Sequence, residues 1–308
     1  MINRVLIRIK VLQMVYAYYQ KEPIELKAAE NELLLSLRMS YDLYNYFLLL
    51  IVELTRAYEL LVDSRRNKYR PSDEELNPDM RLLNNRFARQ VEENETLQAY
   101  VKEHCLTWID DKSFVKDVLD MILKSDVYSN YLRQEEDTYD TDRDFWRIVF
   151  KRIISDNEDI DAYLEDKSIY WNEDIDIIES FVIKTIKRFE QENGSKQELI
   201  QMYNSNEDFE FALNLFRNSI LHAAEYRERI FNLTKNWDSE RIASMDIVIM
   251  QTALAELLGF PSIPIKVTLD EYIDAAKYYS TPKSSIFING ILDAIVNELK
   301  DEKLLMKE

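Results

Sequence analysis

Arg4 and Arg8 stand four residues apart near the start of the chain, which puts both guanidinium groups on one flank of a helix. A planar guanidinium matches the oxygen geometry of a phosphate, so the pair could grip a nucleic-acid backbone. The same two residues could also decorate a solvated helix end. A second basic cluster, Arg65-Arg66-Asn67-Lys68-Tyr69-Arg70, places an aromatic ring among cations. It either complements the C-terminus of a helix or forms a nucleic-acid patch. Nothing in the sequence assembles covalent or metal chemistry. The three glycines are isolated at 194, 259 and 290, so there is no glycine-rich phosphate loop. His-Glu-x-x-His and Gly-x-Ser-x-Gly patterns are absent. His104 and Cys105 are neighbours in sequence and point apart on a helix. One cysteine and two histidines cannot complete an ordinary Cys/His zinc site. The expectation is a non-enzymatic protein with no cofactor and no metal.

The formal net charge of −18 argues against indiscriminate binding to nucleic acid, but the charge is unevenly spread. Residues 1–70 carry a net of +3, residues 71–237 a net of −16 and residues 238–308 a net of −5. Arg4, Arg8, Lys10 and Lys21 fall in the first 21 residues, where there is no acid at all. Such a chain can hold a polyanion at one place and repel it at another. The single cysteine points to a reducing compartment. Arg4, Arg8 and Lys10 interrupt the N-terminal apolar residues, so no signal peptide is expected. The longest apolar run, Tyr46 to Val52, is too short to span a bilayer. The expectation is a cytoplasmic protein that makes no membrane contact.

Few glycines and prolines, and no sustained alternation, predict an all-α fold. The elements that must position the cations begin with a helix over 3–20, with an apolar stripe of Val5, Ile9, Leu12, Tyr16 and Tyr19. A very long helix over 25–66 follows, with Leu26, Leu33, Leu37, Tyr41, Tyr44, Leu48, Ile51, Tyr58 and Val62 inward. Helices are then predicted over 80–105, 112–126, 142–155 and 173–192, separated by acidic linkers that include Asp156 to Asp161. From about Phe209, residues Phe211, Leu215, Ile220, Ala223, Ile230 and Leu233 support another helix. Three more close the chain. Most of Trp237, Ile242, Met245, Ile249, Ala253 and Leu257 share one face of the first, which ends at Gly259 as a positive-φ cap before Pro261. Pro264 opens the second, where Val267, Tyr272, Ala275, Ala276 and Tyr279 are apolar. Thr281 caps the third, which buries Ile286, Phe287, Ile291, Ile295 and Leu299. Gly290 inside it implies close approach by a neighbouring helix.

These last blocks carry a resemblance. Trp237…Glu240-Arg241-Ile242, Asp246…Ala253-Leu254-Ala255-Glu256-Leu257, Pro264-Ile265-Lys266-Val267…Asp270-Glu271 and Phe287-Ile288-Asn289-Gly290-Ile291-Leu292-Asp293 occur in the order found in the NusB transcription antitermination family. The first helix, with its arginines and Gln13-x-x-Tyr16, is similar to that family's arginine-rich opening. Leu6 stands where the family often has a further basic residue, and Gln251 where it often has Arg. The resemblance covers roughly 1–22 and 209–302.

It implies a NusB-like helical bundle with an additional acidic helical insertion. The core would be discontinuous, 1–24 with 206–302. Residues 25–205 would form the insertion and 303–308 a tail. It further implies binding of boxA-type single-stranded RNA together with NusE, a ribosomal protein, and indirectly with the RNA polymerase elongation complex. Arg4, Arg8, Lys10, Gln13, Lys283 and Ser284 would contact the RNA, and Phe287 would stack on an unpaired base. The alternative is a helical protein–protein adaptor in transcription or ribosome assembly, with weak or no RNA binding. The sparse basic helix and the acidic middle favour that alternative.

Overall fold

The computed structural model describes residues 1–20, 25–155, 157–234 and 242–305. Fifteen α-helices occur among these residues: α1 Arg4–Gln20, α2 Leu26–Arg66, α3 Asp73–Leu76, α4 Arg86–Glu92, α5 Glu95–His104, α6 Lys112–Lys124, α7 Asp126–Arg133, α8 Tyr139–Val149, α9 Glu158–Lys167, α10 Ile175–Arg188, α11 Asn206–Leu221, α12 Ala223–Leu233, α13 Ser244–Gly259, α14 Ile265–Tyr279 and α15 Ser284–Asp301. No strand occurs among the described residues, where the one β-type pairing is a parallel bridge between Ile2 and Tyr203. The fold is all-α, as the composition predicts. The chain forms two compact units. One contains Ile2–Leu37 and Met202–Glu308, the other Met1 and Arg38–Gln201.

The first unit is built around α13, which packs against α1, α11, α12, α14 and α15. One apolar face was expected there, but every residue from Val248 to Leu257 is buried. An apolar helix enclosed on all sides suits this sequence, in which Ala253 and Ala255 let neighbours approach closely. Its internal polar groups are satisfied within the unit, and Thr252 closes on the Val248 carbonyl at 2.8 Å. Gly259 does not cap α13 with a positive φ; it is the last helical residue. A Cβ there would meet the Asn218 amide nitrogen at 2.7 Å, so the close approach expected at Gly290 occurs at Gly259 instead. Gly290 faces open space. Trp237, Glu240 and Arg241 lie outside the described residues, as does Lys21.

The faces of the other helices also differ from the sequence pattern. In α1 the buried residues are Leu6, Ile7, Arg8, Lys10, Val11, Leu12 and Val15, while Val5 is exposed. In α14, Ile265 and Thr268 are inside and Val267 is outside. In α15, Ile288, Ile291, Leu292 and Ile295 are inside, Phe287 is half-buried and Ile286 is 79% exposed. The helix expected from about Phe209 breaks at His222 into α11 and α12. The first turns of α2 join this unit through Glu30, whose carboxylate accepts from Arg217 Nε at 2.6 Å and Nη2 at 3.0 Å. The Arg217 hydrogen bond holds the Glu30 carboxyl below the usual range despite its burial.

In the second unit, α2 is enclosed on all faces from Ser40 to Val52. The predicted inward residues of α2 are buried, apart from half-buried Leu26. The helix expected over 80–105 breaks at Asn94, whose side chain caps α5 by accepting from Leu97 N at 2.9 Å. Ser125 likewise separates α6 from α7. The acidic stretch read as a linker after Asp156 contains α9, capped by Asn157. In all three cases a side-chain cap starts a helix inside a polar segment. Tyr46, Trp108, Phe114 and Tyr163 stack in series, with successive centroids 3.7, 5.5 and 3.8 Å apart. Asp111 closes the stack by accepting from the Tyr46 hydroxyl at 2.8 Å and from Lys167 at 2.5 Å.

Because nothing crowds Gly290, Gly290→Ala is expected to raise stability by about 1 kcal/mol through helix propensity. Gly259→Ala should give less than that, since the Asn218 amide must swing aside. Urea denaturation of the two variants measures the difference, and equal gains would contradict the packing described.

Candidate nucleic-acid interface

Arg8 lies inside the first unit and is not a surface cation. It is 5% exposed, and its Nε and Nη2 both donate to Glu256 at 2.8 Å, to Oε2 and Oε1 respectively. This two-pronged pairing is the geometry that a guanidinium also offers a phosphate. Thr268 donates to Oε1 at 2.9 Å and the Tyr272 hydroxyl to Oε2 at 3.1 Å. Glu271 adds a second carboxylate 3.7 Å from Nη1. Burial opposes the Arg8 charge, but the hydrogen bond and field of Glu256 outweigh it and keep its pKa above the ordinary value. Burial, with the adjacent Glu256 charge, pushes Tyr272 well up, so its hydroxyl stays protonated and donates. Arg8 was expected to hold RNA phosphate; its carboxylate partner comes from α13, 248 residues away.

Lys10 is 2% exposed and equally interior. Ser284 is buried and tied into the turn before α15. Its hydroxyl donates to Asp246 Oδ2 at 3.0 Å and lies 2.7 Å from the Thr281 hydroxyl. Ser280 donates to the other Asp246 oxygen. Thr281 therefore helps to hold the turn, and α15 starts at Ser284. Arg8, Lys10 and Ser284, expected as RNA contacts, are buried, so a phosphate reaching them would have to displace partners already in place.

Four expected residues remain accessible. Arg4 is 38% exposed, with Nε 3.4 Å from Asp208 and its guanidinium 5.2 Å from the Phe211 ring centroid. Gln13 is half-buried on α1. Lys283 is exposed immediately ahead of α15, and Phe287 is half-buried in the first turn of that helix. A cation before a partly exposed ring can hold a backbone phosphate and stack a base.

The sequence reading missed Arg227. Its Nε donates to Gln251 Oε1 at 2.7 Å, and its guanidinium lies 3.9 Å from the Tyr19 ring centroid. Gln251 Nε2 donates to the Tyr19 hydroxyl at 3.0 Å and to the Ser219 carbonyl. The glutamine at 251 thus orients a cation supplied by α12. Only the unusual residue at 251 hinted at this; the partnership with α12 needs the fold.

The sequence model of the NusB family matches residues 174–297. The chain is similar to the transcription antitermination protein NusB of Salinibacter ruber, 36% identical over 132 residues, which cover 41% of this chain and 82% of that relative. The protein of the same name from Chloroherpeton thalassium is 39% identical over 98 residues, 32% of this chain and 46% of that relative. That of Natranaerobius thermophilus is 34% identical over 105 residues, 34% of this chain and 72% of that relative. No solved structure matches the chain.

Removing one partner of a buried ion pair leaves the other charge stranded. Arg8→Ala is therefore expected to cost about 3–5 kcal/mol of stability. Arg4→Ala should cost less, about 1 kcal/mol, because the Arg4 guanidinium is itself partly exposed although Asp208 is buried. Chemical denaturation of both variants tests this, and a similar small loss in each would contradict a structural role for Arg8.

Proposed function

The chain belongs to the NusB family, and from that premise we propose that it is a transcription antitermination factor that binds boxA-type single-stranded RNA together with the ribosomal protein NusE. The observation that carries this reading is the 36% identity extending over 82% of the Salinibacter ruber relative. The family is non-enzymatic, so the mechanism is binding. Holding the leader RNA and NusE together would keep the polymerase elongation complex moving through ribosomal RNA operons. The RNA surface proposed is Arg4 and Gln13 on α1, with Lys283 and Phe287 at the start of α15. Lys283 contributes a phosphate contact and Phe287 a stacking face. In the same reading, residues 1–24 and 206–302 act as the discontinuous functional core, and residues 25–205 are an insertion.

A second reading is a helical protein–protein adaptor with weak or no RNA binding. One observation favours it. Arg8 and Lys10 are turned inward and Arg4 lies beside Asp208, which leaves α1 with little free positive charge. No helix among the described residues is long and apolar enough to cross a membrane.

Fluorescence titration of boxA-type RNA, with and without NusE, separates the two. The antitermination reading expects binding that NusE strengthens. If Arg4 and Lys283 are the phosphate contacts, the log–log salt slope is about −1.4. Phe287→Ala should weaken binding by about 1–3 kcal/mol. NusE binding with no RNA affinity at either low or high salt would select the adaptor instead.

A further inference from the structure

We propose that the segment Arg65–Arg70, where α2 ends in the second unit, is a separate surface for single-stranded RNA. All six residues are exposed, and Tyr69 is 95% exposed. The guanidinium of Arg70 lies 5.7 Å from the Tyr69 ring centroid, so one face of that ring is paired with a cation. Four other arginines of this unit have carboxylate partners: Arg56, Arg86, Arg143 and Arg147 each lie within 3.1 Å of one. Among the described residues, Arg65, Arg66 and Arg70 have no carboxylate within 4 Å; the contact of Arg66 is a 3.6 Å approach to the Met80 sulfur. Lys68 is occupied by Glu75. The acids that follow, Asp73, Glu74 and Glu75, occupy the first turn of α3, where the helix end favours them.

Complementing the C-terminus of α2 accounts for Arg65 and Arg66, which lie in its last turn. It does not account for Arg70 and Tyr69, which lie beyond the helix. Guanidinium groups with no carboxylate in contact suit backbone phosphates, and an exposed tyrosine ring suits an unpaired base of any sequence. Duplex recognition would leave that ring without a partner, so the ligand is single-stranded. The proposal does not rest on the boxA reading, whose residues belong to the other unit.

The test uses the full chain and a fluorescein-labelled twelve-nucleotide oligouridylate at 50 and 200 mM salt. The triple variant R65A/R66A/R70A should bind more weakly and lose about 2 from the magnitude of the salt slope, as expected for three single-strand phosphate contacts. Tyr69→Ala should weaken binding about tenfold, and Tyr69→Phe should restore it to within about twofold, because stacking needs the ring and not the hydroxyl. Crosslinks from 4-thiouridine should map to residues 65–70. Melting temperatures near wild type would show that these surface variants fold. No binding by the wild-type chain at 50 mM salt would overturn the proposal. So would wild-type affinity in the triple variant, including the case in which a Lys283→Ala/Phe287→Ala variant alone loses RNA. Unchanged affinity in Tyr69→Ala, with poly-glutamate competing as well as RNA, would also overturn it and point to an acidic protein.

Discussion

The first unit depends on one buried ion pair. Arg8 of α1 reaches Glu256 in the middle of α13, and Thr268 and Tyr272 of α14 donate to the same carboxylate. Three donor side chains from two helices thereby converge on the two carboxylate oxygens of a third helix. Such a pair adds little net stability compared with well-packed apolar residues, because two charges must leave water. Its effect is on geometry. A guanidinium placed flat against a carboxylate fixes both the rotation and the depth of α1 against α13. The rotation has visible consequences along the helix: Ile7, Val11 and Val15 turn inward, and Val5 turns out.

The same economy of polar groups runs along α13. Gln251, Thr252 and Glu256 are all fully buried, and each is satisfied by a named partner. Asp246, nearer the start of the helix, accepts from both Ser280 and Ser284 at the turn into α15. The polar residues of the central helix therefore act as fixed points for α1, α12, α14 and the turn before α15. The apolar residues between them supply the burial that holds the unit together. A family pattern rich in polar residues can thus be a pattern of interior contacts as much as one of ligand contacts.

That distinction explains what was legible in the sequence. Helical class, the extent of α2 and the three closing helices followed from periodicity and from Pro261 and Pro264. The inner face of α2 was legible because a long helix samples its period many times. The face of α1 was not, because periodicity assigns Arg8 to solvent and no local signal reports a carboxylate 248 residues away. Ile286 was misplaced for a related reason, since hydropathy alone does not reveal that Ile288 and Leu292 take the inner positions. The close approach falls at Gly259 and not at Gly290 because a glycine in sequence does not say whether another part of the chain passes close by. Lys283 and Phe287 remain where a ligand can reach them, whereas Ser284 between them belongs to the interior.

The span of the Arg8–Glu256 pair also bears on how the protein is made. A ribosome working at about 5–20 residues per second needs roughly 12–50 s to pass from one partner to the other. During that interval α1 has neither its carboxylate nor the apolar surface of α13. The nascent first helix must therefore wait with Arg8 hydrated while the whole second unit emerges. Closure of the first unit is a late event that joins the two ends of the chain, and its loop-closure entropy is met only once α13 has formed.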